Sequence, residues 1–106
     1  MQTEPHQPTT LRPQEVTMLR LALKADTVSH RDLFAAFYGT RCPDDVQRRK
    51  QVIKAVACKL RRKLEPVGGV VILHRDTGLT IPPDAKQRIR EALAARRFRR
   101  HEADSL

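Results

Sequence analysis

The stretch Gln51–Pro66, QVIKAVACKLRRKLEP, constrains the fold more than any other part of the chain. With Ile53 set at zero and about 100° per residue, Val56, Ala57, Leu60 and Leu64 fall within about 60° of it. That is the apolar stripe of a helix seated in a core. The opposite side collects Arg48, Gln51, Ala55, Cys58 and Arg62, with Lys54 and Lys59 on its shoulders. From Arg48 to Lys63 the chain carries eight cationic residues and no acid. Solvated helix faces usually mix signs so that neighbours pair. A face of one sign is either a solubility device or the seat of an anion, and the absence of any acid favours the second.

The whole chain points the same way. Its 106 residues make one small domain, and 21 Lys plus Arg against 12 Asp plus Glu leave a net charge of +9. Such an excess favours a polyanionic partner. Single-stranded nucleic acid is usually held by stacking on aromatic side chains, and one Tyr, three Phe and no Trp are a poor supply. Duplex DNA is therefore the expected partner. No apolar run approaches the roughly 20 residues of a membrane span, and MQTEPHQPTT lacks the basic-then-apolar pattern of a signal peptide. The expectation is a cytoplasmic, nucleoid-associated protein with Cys42 and Cys58 as reduced thiols.

The remaining segments read in order. Residues 1–10 look like a disordered tail. A first helix is expected from Pro13 to Ala25, with proline at its first position and a stripe of Val16, Leu19, Ala22 and Leu23, widened by Met18, Leu21 and Ala25. Residues 26–28 form a short extended link. Ser29 caps a second helix, with Asp32 three residues on, Val28 and Leu33 placed as a hydrophobic staple, and Gly39 as the stop. Asp44 and Gln47 suggest a capping pair for a third helix over about Asp45–Glu65, ended by Pro66 and Gly68-Gly69. The runs Val70–Leu73 and Leu79–Ile81 flank a turn with Asp76 and Gly78, a β-hairpin. After Pro82-Pro83, Asp84 caps a last helix with Ala85, Ile89, Ala92 and Leu93 as its apolar members, dissolving into RRFRRHEADSL.

Helix, short strand, helix, long helix and hairpin make a mainly α chain with a small β-hairpin. This is the plan of a winged helix-turn-helix: a three-helix core, a two-stranded wing and a C-terminal basic helix. The expected divisions are a tail at 1–10, the winged helix at 11–82, the basic helix at 83–100 and a tail at 101–106. In such a plan the third helix enters the major groove, whose width of about 12 Å admits a helix. Short Ala55 and Cys58 let its axis approach the bases. Gln51 suits adenine and Arg62 or Arg48 suit guanine, while Lys54, Lys59 and Arg61 suit phosphates.

Taken together, LRPQEVTMLRLALKADTVSHRDLFAAFYG, ACKLRRKLEP and VVILHRDTGLTI resemble the DNA-binding domain of OmpR-type response regulators over about Leu11–Ile81. That family runs L-T-P-x-E, a helix, S-R-x-x-L with an aromatic-Gly end, a recognition helix ending L-R-x-K-L, and a wing like V-R-G-x-G-Y. The resemblance implies that Arg75 is the wing arginine that reaches a minor groove, with Thr77 and Gly78 at the tip and Arg61, Lys63 and Leu64 at the end of the recognition helix. A narrow minor groove attracts an inserted arginine; the plain alternative is a hairpin charge paired with Asp76. Arg12, Asp76 and Leu79 depart from the pattern, as does a longer loop between the second and third helices. The expectation is a stand-alone domain with no receiver and no four-stranded sheet ahead of it.

No catalytic or metal constellation is legible. His6, His30, His74 and His101 are scattered, Cys42 and Cys58 lie far apart, and no Gly-Lys-Ser/Thr follows Gly68-Gly69. The chain reads as a sequence-specific DNA-binding transcriptional regulator with no cofactor, not an enzyme. The other readings are a protein-interaction module for an acidic partner, such as RNA polymerase or another transcription regulator, and an architectural or excisionase-like protein. The basic C-terminal helix leaves three roles open: packing on its own domain or on a second copy in a homodimer, contact with phosphates, and lying on an anionic membrane surface.

Overall fold

The computed structural model describes residues 9–39, 46–75 and 77–100. The chain runs β1 (Thr9–Leu11), α1 (Pro13–Lys24), β2 (Val28–Ser29), α2 (His30–Tyr38) and α3 (Val46–Leu64), then a 3-10 turn at Glu65–Val67. The order continues with β3 (Ile72–Leu73), β4 (Gly78–Thr80), α4 (Pro83–Ala94) and β5 (Phe98–Arg100). It is a mainly helical protein with small sheets.

Local chemistry accounts for the helix ends. Pro13 opens α1, and the Glu15 carboxylate accepts from the backbone N–H of Arg12 at 2.9 Å. Arg12 sits at the N-cap and its side chain makes no capping bond, so Glu15 alone closes that end. Ser29 caps α2 by accepting from the Asp32 N–H at 3.0 Å, and Val28 and Leu33 are both buried as the two halves of a staple. Gly39 ends the helix at φ +63°, its N–H donating to Ala35. The capping pair expected from Asp44 and the Gln47 side chain lies outside what the structure describes.

Four helices and one sheet share a core. Met18, Leu33, Ile53, Leu60, Leu64, Leu79, Ile81 and Ile89 are its largest fully buried side chains. In α1 the stripe is turned from its expected centre: Met18 is deepest, while Val16 and Leu23 are only partly covered. The hairpin forms as expected but shorter, β3 pairing antiparallel with β4 through Ile72↔Thr80 and Leu73↔Leu79. Val70 and Ile72 are left exposed beside buried Val71. The link before α2 adds a third strand, with Val28↔Leu79 and Ser29↔Gly78, so the sheet order is β2-β4-β3 rather than a two-stranded wing.

Gly78 makes that addition feasible. It is not at the hairpin tip but inside β4, at φ +147°, and a Cβ there would meet the Val28 carbonyl oxygen at 1.9 Å. Only a glycine lets β2 lie this close.

Both ends of the chain depart from the reading of the sequence. Thr9 and Thr10, expected within a disordered tail, form β1, which pairs in parallel with β5 through Thr9↔Phe98, Thr10↔Arg99 and Leu11↔Arg100. The cap of the C-terminal helix lies two residues earlier than expected: Pro82 is its N-cap, and Asp84 sits in the first turn pairing with Arg88 at 3.6 Å. It stops at Ala94, not in the arginines beyond. Arg97 donates to Ala92 and Arg96 to Leu93, with Arg96 at φ +60°, a Schellman ending built on an arginine in place of glycine. Ala85 and Ile89 join the one core, so residues 83–94 are part of the same body as the three helices. The tails expected at residues 1–8 and 101–106 lie outside the described residues.

Candidate nucleic-acid interface

Nineteen residues of α3 span about 28 Å. Its inner side is Ile53, Val56, Ala57, Leu60 and Leu64, all buried as the periodicity requires. Its outer side presents Arg48, Gln51, Lys54, Ala55, Lys59, Arg61 and Arg62, all exposed. The helix is thus gripped along one edge and bare along the other.

What the cations are doing separates them. Among the described residues, Lys54, Lys59, Arg61 and Arg62 make no ion pair or hydrogen bond. Lys63 differs. Its Nζ donates to the Glu15 carboxylate at 2.7 Å and to the Thr10 carbonyl at 2.9 Å. It ties α3 to α1 and β1 and leaves the outer face. Glu15 is 2% exposed and is the one buried charged residue of the described core. The sequence grouped Lys63 with its neighbours because its place on the helical wheel lies at the edge of the apolar stripe.

The hairpin lies beside α3. Val71 and Leu73 face Lys54, Ala57, Cys58 and Arg61 across a 260 Å³ cleft. Cys58, expected in the middle of the outer face, is turned half into this cleft and is only partly exposed. Ala55 alone remains as the short residue at the centre. Arg75 and Thr77 are exposed at the hairpin turn; Asp76, the alternative partner for Arg75, lies outside the described residues.

Two of the histidines that look scattered in the sequence, His30 and His74, fasten the hairpin base. His30 Nε2 lies 3.2 Å from the His74 carbonyl, and His74 Nε2 lies 3.1 Å from Thr80 Oγ1. A carbonyl can only accept, so His30 carries its proton on Nε2. Its Nδ1 is buried without a partner among the described residues. The Thr27 and Thr80 hydroxyls meet at 2.9 Å, and the His74 N–H donates to the Gly78 carbonyl at 2.7 Å. The turn that carries Arg75 and Thr77 is therefore held from α2 and β2 as well as from β4. Spacing in the sequence gave no sign of this clasp, which joins residues 44 apart.

The arrangement offers Lys54, Lys59, Arg61 and Arg62, uncommitted among the described residues, and one amide on a convex rod, with a braced cationic turn to one side. Among the described residues, no group of three His, Cys, Asp or Glu is placed to hold a metal, and no helix is long and apolar enough to cross a membrane. Comparison of the chain with protein-family models, with curated proteins and with solved structures finds no match.

Proposed function

We propose that the chain is a winged helix that binds duplex DNA and regulates transcription, with α3 in the major groove and Arg75 directed to the neighbouring minor groove. The observation that carries this is the state of the α3 cations. Lys54, Lys59, Arg61 and Arg62 crowd one exposed side with no acid among the described residues to offset them, while the same helix is fixed from behind by five buried side chains. Holding like charges together in this way costs stability unless an anion meets them. Gln51 and Arg62, with Ala55 between them, are the candidates for base contact, and Arg48 for a base at the helix start. Lys54, Lys59 and Arg61 are suited to phosphates. Thr77 accompanies Arg75 at the turn. Cys58, half inside the cleft, serves as packing.

The test is selection of duplexes from a random pool, followed by binding of two variants to the selected and scrambled sequences. Arg62→Ala is expected to cost about 1–3 kcal/mol on the selected duplex and to relax preference at one base pair. Lys59→Ala is expected to weaken both duplexes alike. Equal losses for both variants on both duplexes would remove the division between readers and anchors. An acidic protein partner, whether polymerase or another regulator, is separated by salt. Contact with about six to eight phosphates gives log K against log salt a slope of about −5 to −7, and a protein without condensed counterions gives a shallower one. A nonspecific chromosome-coating protein would keep the slope and lose the preference.

A further inference from the structure

A second surface lies where neither α3 nor the hairpin contributes. Val16, Leu19 and Leu23 of α1, Leu93 near the end of α4 and Phe98 of β5 line an open groove of 310 Å³. That volume is at the lower end of ligand pockets, about 300–1,000 Å³, and being open it suits the side chains of a peptide more than an enclosed small molecule. Leu93 is 38% exposed, one of three large apolar residues of the described chain so left. Val16, Leu23 and Phe98 are only half covered. The apolar bed is built by the Schellman ending of α4, which turns the chain so that β5 pairs with β1 and sets Phe98 against α1.

Its rim has one sign. Arg20 and Arg99 border the groove, and no acid among the described residues lines it. Arg99 donates to the Thr10 hydroxyl at 3.2 Å, which fixes its stem but leaves its charge uncompensated. A second copy offering the same face would bring one rim of Arg20 and Arg99 against another, since a two-fold contact uses one patch twice. Like charges so placed oppose association. We propose that this groove docks an amphipathic segment of another protein, its apolar side chains on Leu23, Leu93 and Phe98 and its flanking carboxylates on Arg20 and Arg99. Because the lining excludes α3 and the hairpin, the docking does not depend on the DNA reading and is compatible with simultaneous occupancy of α3.

The probe is a synthetic helical peptide with leucines at i, i+3, i+4 and i+7 and glutamates at both ends, beside a twin with lysines in place of the glutamates. Binding is read by fluorescence anisotropy. The glutamate peptide is expected to bind at least about tenfold more tightly than its twin. Leu93→Asp, at an exposed position and checked for folding by circular dichroism, is expected to weaken it by about tenfold or more. Arg20→Glu is expected to narrow the gap between the two peptides. Joint replacement of Lys59 and Arg62 by Gln leaves peptide affinity unchanged if the groove is the site; if that change, and not Leu93→Asp, abolishes binding, the peptide sits on α3 and the proposal fails. It also fails if both peptides bind equally. A homodimer in sedimentation that Leu93→Asp dissolves would give the groove to a second copy. A rise of about tenfold in peptide affinity on deleting residues 101–106, which carry Glu102 and Asp104, would give it to the chain's own C-terminus.

Discussion

Helices α3 and α4 are both rich in Lys and Arg, yet the cations of α4 and four of those on α3 are in opposite states. On α4, Lys86 donates to the Ala25 carbonyl at 2.8 Å, Arg90 to Leu23 at 2.7 Å and Arg88 to Gly68 at 3.2 Å. These carbonyls belong to the end of α1 and to the turn after α3, so the cations of α4 are staples to its own domain. On α3, Lys54, Lys59, Arg61 and Arg62 have no such partner among the described residues. Charge alone therefore does not mark a binding surface. The mark is cationic donors that the fold leaves unused while it fixes the backbone beneath them.

The comparison can be broken at either helix. The largest effect is expected from Ile89→Ala, at a fully buried position, which should lower stability by about 2–5 kcal/mol in denaturant titrations. A loss under about 1 kcal/mol would mean that α4 is only laid on the surface, and its staples would lose their meaning. Lys63→Met comes next. It removes the partner of a buried carboxylate that then keeps only the Arg12 N–H, and should cost about 2 kcal/mol. The salt slope of DNA binding should not change, unlike that of Lys59→Ala four residues earlier. A smaller gain is expected from Arg96→Gly. At φ +60° a glycine relieves the left-handed strain, for about 0.5–1 kcal/mol of added stability visible as a higher Tm.

Much of this was legible in the sequence, and the failures have definite causes. Pro13, Ser29 with Asp32, Val28 with Leu33, and Gly39 are local signals, and local signals place helix ends. Ile53, Val56, Ala57, Leu60 and Leu64 follow from period alone, because a helix with a narrow apolar edge has one way to bury it. Hidden were the features that depend on distant pairing. Thr9 and Thr10 read as tail and Phe98–Arg100 as the fraying end of the basic helix because three-residue strands with threonines and arginines carry no β pattern, and each is a strand only through the other. Arg96 concealed the end of α4 by occupying a position where glycine is the usual sign. Gly78 looked like a turn residue, but its need arises from the approach of β2. At the candidate site, exposure of Gln51, Ala55 and Arg62 was readable. The inward turn of Cys58 and the recruitment of Lys63 by Glu15 were not, since both depend on which neighbour lies at the edge of the stripe.

The central claim is that the unused cations of α3, and not those of α4, meet phosphates. Its most direct test is the salt dependence of duplex binding for two triple variants, each checked for folding: Lys54, Lys59 and Arg62 to Gln, and Lys86, Arg88 and Arg90 to Gln. The α3 variant is expected to flatten the log–log slope by about one unit for each cation removed, while the folded α4 variant keeps the slope of the parent. A flattened slope in the α4 variant with the α3 variant unchanged would contradict the account.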